Sequence, residues 1–415
     1  MGTRVRRGIL RRGVLRRGIL SGAVCVAATV ATIASTAPAG AAPVYPPLPA
    51  DPFYRAAADA SSSTPGDVLG IRRMPTPAGI TGADTWQLSF RSTNSQGEPI
   101  TAVTTVLAPV GKAPDGPLLS FQHVINALGP QCAPSQTLWT TDPNLEIREA
   151  VGLNVALQRG WTVAIPDHLG PTSAYGAAKL GGQITLDGIR AVQRAPELQV
   201  ANSPVTLAGY SGGGMATGWA AALAPSYAPE LNIVGAAMGG VPMNLRKMAD
   251  GIGTDPHPAF GLAFAAALGL EREYPDRIDL SGRLTPAGLA MRDGLSAACT
   301  NDILRIGAGG SLPQVSPISR LTDEPGALAV VDENSLELYP GVPPMPIFEW
   351  HSPTDALIPV DSITATLARY CAAGAHVQSL ETPTPDHMSA AVLGLGQAMD
   401  FLNKRFAGEE TPRTC

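Results

Sequence analysis

The sequence predicts an α/β fold, a mostly parallel sheet covered by helices and interrupted by one helical insertion. Three observations carry this. Short apolar runs alternate with alanine-rich or amphipathic runs along most of the chain. The alternation stops between residues 243 and 330, where only helical patterns are visible. It then resumes with the same rhythm to the C-terminal end.

Residues 1–41 read as a signal peptide. "MGTRVRRGILRRGVLRRGIL" carries seven arginines and no acid, "SGAVCVAATVATIAS" is apolar, and Ala39-Gly40-Ala41 offers an A-x-A cleavage site. The apolar stretch from Ile19 to Ile33 is about 15 residues, short of the ~20 that a spanning helix needs. A secreted, extracellular protein is therefore expected, exported by the Sec route, with the pairs beginning at Arg6, Arg11 and Arg16 also suiting a twin-arginine route.

Cleavage would remove seven of the 29 Lys+Arg and leave 34 Asp+Glu, so the mature protein is acidic. It has no basic run, which argues against nucleic acid as a partner. Cys132, Cys299, Cys371 and Cys415 remain, an even set in an oxidising compartment. They allow three pairings, of which Cys132–Cys299 with Cys371–Cys415 is the expected one. None has Cys-x-x-Cys spacing, so no metal is expected.

Thr85 to Asn94 and Ile100 to Pro109 alternate apolar and polar residues around "NSQGEP" and read as a hairpin. Then "GPLLSFQ" (strand), "NLEIREAVGLNVALQRG" (helix), "WTVAIPD" (strand), "LDGIRAVQRA" (helix), "PVTLAGYS" (strand), an alanine-rich helix and "NIVGAAMGG" (strand) follow in order. "HPAFGLAFAAALGL" and "TPAGLAMRDGLSAAC" make the insertion helical. "MPIFEWHS", "SITATLARYCAAG", "HVQSLETP" and "MSAAVLGLGQAMDFLNKRF" complete the sheet and its cover. The expected division is a core of 42–242 and 331–415 with a cap or lid of 243–330.

Gly209-Tyr210-Ser211-Gly212-Gly213 fits G-x-S-x-G at a strand-to-helix turn, where flanking glycines permit a tight bend that lifts the hydroxyl onto a helix N-terminus. In an open α/β sheet, ligands bind at the carboxyl ends of strands. Asp355 follows the strand "MPIFEWHS" in a turn, and His387 follows "HVQSLETP" at the start of a helix. Ser211, Asp355, His387 is the chain order of α/β-hydrolases, so these three are the candidate catalytic residues. Asp361 and Asp386 are the competing acids. His123, His168 and His351 also lie near strand ends, and Asp167 reads as a structural strand-end carboxylate. The oxyanion would be held by the N–H of Gly212 and by a donor from the loop "SFQHVINALGPQCAPS".

These motifs resemble the secretory lipase family: "SFQ" followed by "CAPS", the "IPDHLGP" turn, "LDGIRAV", "GYSGGG", and "HSPTDALIPV" followed by a histidine, spanning about 120 to 390. The resemblance implies an α/β-hydrolase with Ser211, Asp355 and His387 as its triad and a helical cap with a lid. It aligns Asn126, where fungal members carry aspartate, with the second oxyanion donor. A serine-dependent lipase or carboxylesterase is expected, acting on a small-molecule or lipid ester, with transient contact to a lipid interface, no cofactor and no obligate protein partner. Short-chain esterase, acyltransferase, serine peptidase and non-catalytic binding protein are the rival readings. The apolar stretches of the insertion suit either an acyl tunnel or an ordinary helical core.

Overall fold

A computed structural model of the protein describes residues 41–415 apart from 56–60, 143–144, 146–149, 319 and 321–322. The expected signal peptide lies outside the described residues except for Ala41. The hairpin of the sequence pattern is β2 (Ala83–Thr93) and β3 (Pro99–Pro109), paired antiparallel from Ala83 opposite Pro109 to Thr93 opposite Pro99. A strand that the pattern does not mark, β1 (Val68–Met74), adds antiparallel to β2. Its "GIRR" core lacks alternation because it is an edge strand whose Arg72 bonds the side chains of Gln87 and Asp51.

β4 (Leu118–Gln122), β5 (Thr162–Pro166), β6 (Val205–Tyr210), β7 (Ile233–Gly239), β8 (Ile347–His351) and β9 (Val377–Glu381) complete a nine-stranded sheet in the order β1-β2-β3-β5-β4-β6-β7-β8-β9. From β5 to β9 every pairing is parallel. Every residue of β5, β6 and β8 is buried, which explains why their sequences are mainly apolar rather than alternating.

Helices cover both faces. After β4 come α1 (Pro134–Thr137) and α2 (Ala150–Gln158), then α3 (Ala178–Arg194) and α4 (Gly212–Tyr227). α3 begins well before the run Leu186–Ala195 that its sequence marks, because Gly181, Gly182 and Thr185 are poor helix formers that packing against α4 overrides. Residues 243–330 contribute α5 (Leu245–Ile252), α6 (Phe260–Glu273), α7 (Pro286–Leu295), α8 (Thr300–Gly307), α9 (Leu312–Val315) and the start of α10 (Pro325–Glu333). None of the described residues there joins the sheet, and one isolated bridge links His257 to Gly310. α11 (Val360–Ala372) and α12 (His387–Phe406) follow β8 and β9.

Phe260, Phe264, Leu268 and Leu270 of α6 are buried in the main core with Trp219 and Met238. The apolar stretch of the insertion is thus an ordinary core element. On the other face, Trp161, Phe348, Trp350 and Phe401 form a second core beneath α2 and α12. Disulfides Cys132–Cys299 and Cys371–Cys415 close loops with sequence separations of 167 and 44.

Candidate active site

The turn from β6 into α4 holds Ser211 at φ 53° and ψ −119°. A non-glycine residue pays on the order of 1–3 kcal/mol for such a conformation, so the surroundings must enforce it. The Ser211 N–H donates to the Gly239 carbonyl at 2.8 Å, and its carbonyl accepts from Met215 at 2.8 Å. Gly213 lies so close to β4 that a Cβ there would stand 2.0 Å from the Gln122 carbonyl oxygen. The bend therefore demands glycine at that position.

His387 opens α12, and its Nε2 lies 2.9 Å from Ser211 Oγ. Its Nδ1 lies 2.6 Å from Asp355 Oδ2. Asp355 Oδ1 accepts from the N–H groups of Leu357 and Ile358 at 2.9 and 3.0 Å. Burial by itself would raise this carboxyl, but the bonds from His387 and the two N–H groups outweigh it and hold Asp355 below the usual carboxylate range. The carboxylate orients the ring and fixes which nitrogen faces the serine.

The competing acids are occupied elsewhere. Asp386 caps α12 through the Ser389 N–H at 2.8 Å, and Asp361 pairs with Lys247 at 2.7 Å. His351 Nδ1 sits 2.9 Å from the buried carboxylate of Glu349. Asp167 bonds Ser135, and His168 is buried.

Gly212 is the first residue of α4, and the first N–H groups of a helix have no acceptor within it. Asn126, on the loop after β4, lies beside it: a Cβ on Gly212 would be 2.5 Å from Asn126 Oδ1. Residues of the insertion hold this loop. Thr300 Oγ1 donates to the Asn126 carbonyl at 3.1 Å, Leu128 N–H donates to Ala298 at 2.9 Å, and Cys132 is bonded to Cys299. Arg272 on α6 donates to the carbonyls of Val44, Leu128, Thr172, Ser173 and Ser296.

A cavity of about 350 Å³ opens beside Ser211. Its walls are mainly apolar: Phe121 from the sheet, Trp350, Leu153 from α2, and Ala391, Leu395 and Met399 from α12. Among the described residues of the insertion, Cys299, Thr300 and Asn301 line it. Such a volume and lining suit an organic ligand with an apolar arm.

The family model described as secretory lipase matches residues 144–413. The secreted triacylglycerol lipase of Malassezia globosa is 33% identical over 381 residues, covering 88% of this chain and 81% of its own. The chain belongs to the secretory lipase family. Lipase A of Moesziomyces aphidis is 31% identical over 382 residues, covering 88% of this chain and 81% of its own. A probable trichothecene esterase of Stachybotrys chartarum is 32% identical over 86% of this chain and 76% of its own. The crystal structure of Candida antarctica lipase A in its closed state superposes with a TM-score of 0.83, at 30% identity and 88% coverage of both chains.

Sequence reasoning on this secretory lipase passed over Arg272 and Glu349. Both leave a trace: a charged residue inside an apolar strand, "IFEWH", and the triplet "ERE" closing an apolar helix. Charged groups in such places are buried only with partners, so each flags an internal polar anchor.

Proposed function

We propose that this secretory lipase hydrolyses lipid carboxylic esters through an acyl-enzyme on Ser211. The observation that carries the reading is the line from Asp355 through His387 to Ser211, with the serine at the mouth of an apolar cavity. His387 Nε2 takes the hydroxyl proton as Ser211 Oγ attacks the ester carbonyl, and Asp355 stabilises the imidazolium that results. The oxyanion sits against the N–H of Gly212 and a donor of Asn126. Collapse of the tetrahedral intermediate expels the alcohol, which takes its proton from His387. Water, deprotonated by His387, then attacks the acyl-enzyme, and collapse of the second intermediate releases the acid and restores the serine proton.

The apolar arm of the ester occupies the cavity along α12. Around its mouth Met388, Val392 and Val151 are exposed to 53%, 74% and 74%, a rim that would favour contact with aggregated lipid. Residues 42–242 and 331–415 form the hydrolase core in this reading, with 243–330 as the inserted helical cap. Cleavage after Ala41 would deliver the protein outside the cell, and no helix among the described residues is long and apolar enough to cross a membrane.

The test is hydrolysis of p-nitrophenyl esters from C2 to C16 and of an emulsified triglyceride, wild type beside Ser211→Ala. Loss of turnover by on the order of 10⁴-fold or more in the variant is expected. Activity on the long esters and the emulsion supports a lipase, whereas activity confined to the short ones makes the protein a carboxylesterase. A folded Ser211→Ala protein with wild-type turnover overturns the reading.

A further inference from the structure

We propose that Tyr210, the residue before the serine, is a positioning residue that seats His387 against Ser211. The proposal rests on the reading of Ser211 as the nucleophile. Tyr210 Oη donates to the backbone carbonyl of His387 at 2.5 Å in a buried bond between residues 177 apart. Its ring packs on the imidazole with centroids 5.0 Å apart, and on Trp350 at 5.6 Å. An independent observation comes from the opposite side. Gly240 adopts φ 52°, and a Cβ there would stand 2.7 Å from Tyr210 Oη and 2.8 Å from His387 Cε1. The backbone of residue 240, the phenol and the imidazole are therefore packed to contact.

This arrangement answers a mechanical problem. His387 is the first residue of α12, and helix ends fray more readily than helix interiors. Asp355 holds the ring at Nδ1 but itself sits on a turn. Tyr210 supplies the missing tie, because it is covalently joined to Ser211. The segment that sets the nucleophile thus sets the base as well, and a displacement of α12 would have to break the phenol bond first. Small misplacements of reacting groups are costly in rate.

Tyr210→Phe tests this, since it keeps the ring and its packing and deletes only the hydroxyl. The expected result is a fall in kcat of about tenfold, with KM within about twofold and the unfolding midpoint near wild type. The rate of Ser211 labelling by an organophosphonate should fall in parallel, because labelling needs the same base. Gly240→Ala, which crowds the seat from its other side, should also lower kcat, and it carries the test if Tyr210→Phe does not fold. Wild-type kcat and labelling rate in the variant, or a rise in KM alone, would overturn the proposal. Turnover that survives Ser211→Ala would sink the nucleophile reading and this proposal together, whereas loss there beside an unaffected Tyr210→Phe sinks this proposal alone.

Discussion

Asp167 and Asp355 are both buried aspartates at the ends of strands, and their surroundings drive them in opposite directions. Asp355 has a histidine and two backbone donors, and it stays charged. Asp167 accepts from Ser135 N–H at 3.0 Å and Ser135 Oγ at 2.5 Å, and pairs with no cation among the described residues. Burial pushes its carboxyl up to about 7, against the opposing effect of the Ser135 bonds. A carboxyl raised in the fold binds its proton more tightly folded than unfolded. Its contribution to stability is therefore complete below the unfolded value, about 4, and is lost as pH rises through about 7. Asp167→Asn should remove that dependence: thermal unfolding at pH 4 to 8 should show the variant gaining on wild type across this window. An unchanged gap between the two curves would count against a neutral Asp167. The sequence placed Asp167 as a structural strand-end carboxylate, but its partner Ser135 lies 32 residues away in the chain, and no local pattern reports that contact.

α12 shows what an element can hide. Its sequence, "HMSAAVLGLGQAMDFLNKRF", is apolar on more than one side, which reads as a buried helix. Phe401 and Leu402 do go into the second core. Met388, Val392 and Leu395 instead face the cavity and its mouth, spaced as neighbours on one helical face. The apolar stretch of α6 was the alternative location for an acyl tunnel, and periodicity alone could not separate the two because core and cavity walls use the same side chains. Ala391 lies on the cavity wall and is partly exposed, so Ala391→Phe should shorten the accepted chain. kcat/KM for C12 to C16 esters should drop at least about tenfold while the C2 ester stays near wild type. A uniform change across chain lengths would place the acyl arm elsewhere.

At the scale of the whole molecule the insertion matters as a support. Cys132–Cys299 ties it to the loop that carries Asn126, while Cys371–Cys415 ties α11 to the C-terminal segment away from Ser211. By the chain-entropy model the two closures differ little, about 5 and about 4 kcal/mol. Their effects on turnover should differ more: Cys132→Ser with Cys299→Ser should lower kcat beyond its loss of stability, and Cys371→Ser with Cys415→Ser should lower the unfolding midpoint alone. Equal kcat in the two double variants at a temperature where both are folded would refute that distinction. The alternation of strands and helices and the elbow were legible in the sequence, because each is set by residues close together in the chain; the serine, acid and histidine are far apart in the chain, but each could be read from the turn that follows its own strand. β1, the reach of α3 and the anchors Arg272 and Glu349 were not, since packing decides them.

The joint made by Arg272 has a further consequence. Its guanidinium binds carbonyl oxygens and forms no ion pair among the described residues, and burial lowers it only to about 10, so it keeps its charge in acid. Ion pairs come apart when their carboxylates take up protons; peptide carbonyls do not titrate in that range. Acidified surroundings, such as an extracellular protein can meet, would therefore leave the seam between insertion and sheet locked. Loss of turnover on acidification should then reverse on neutralising, as a switched-off site in a standing scaffold.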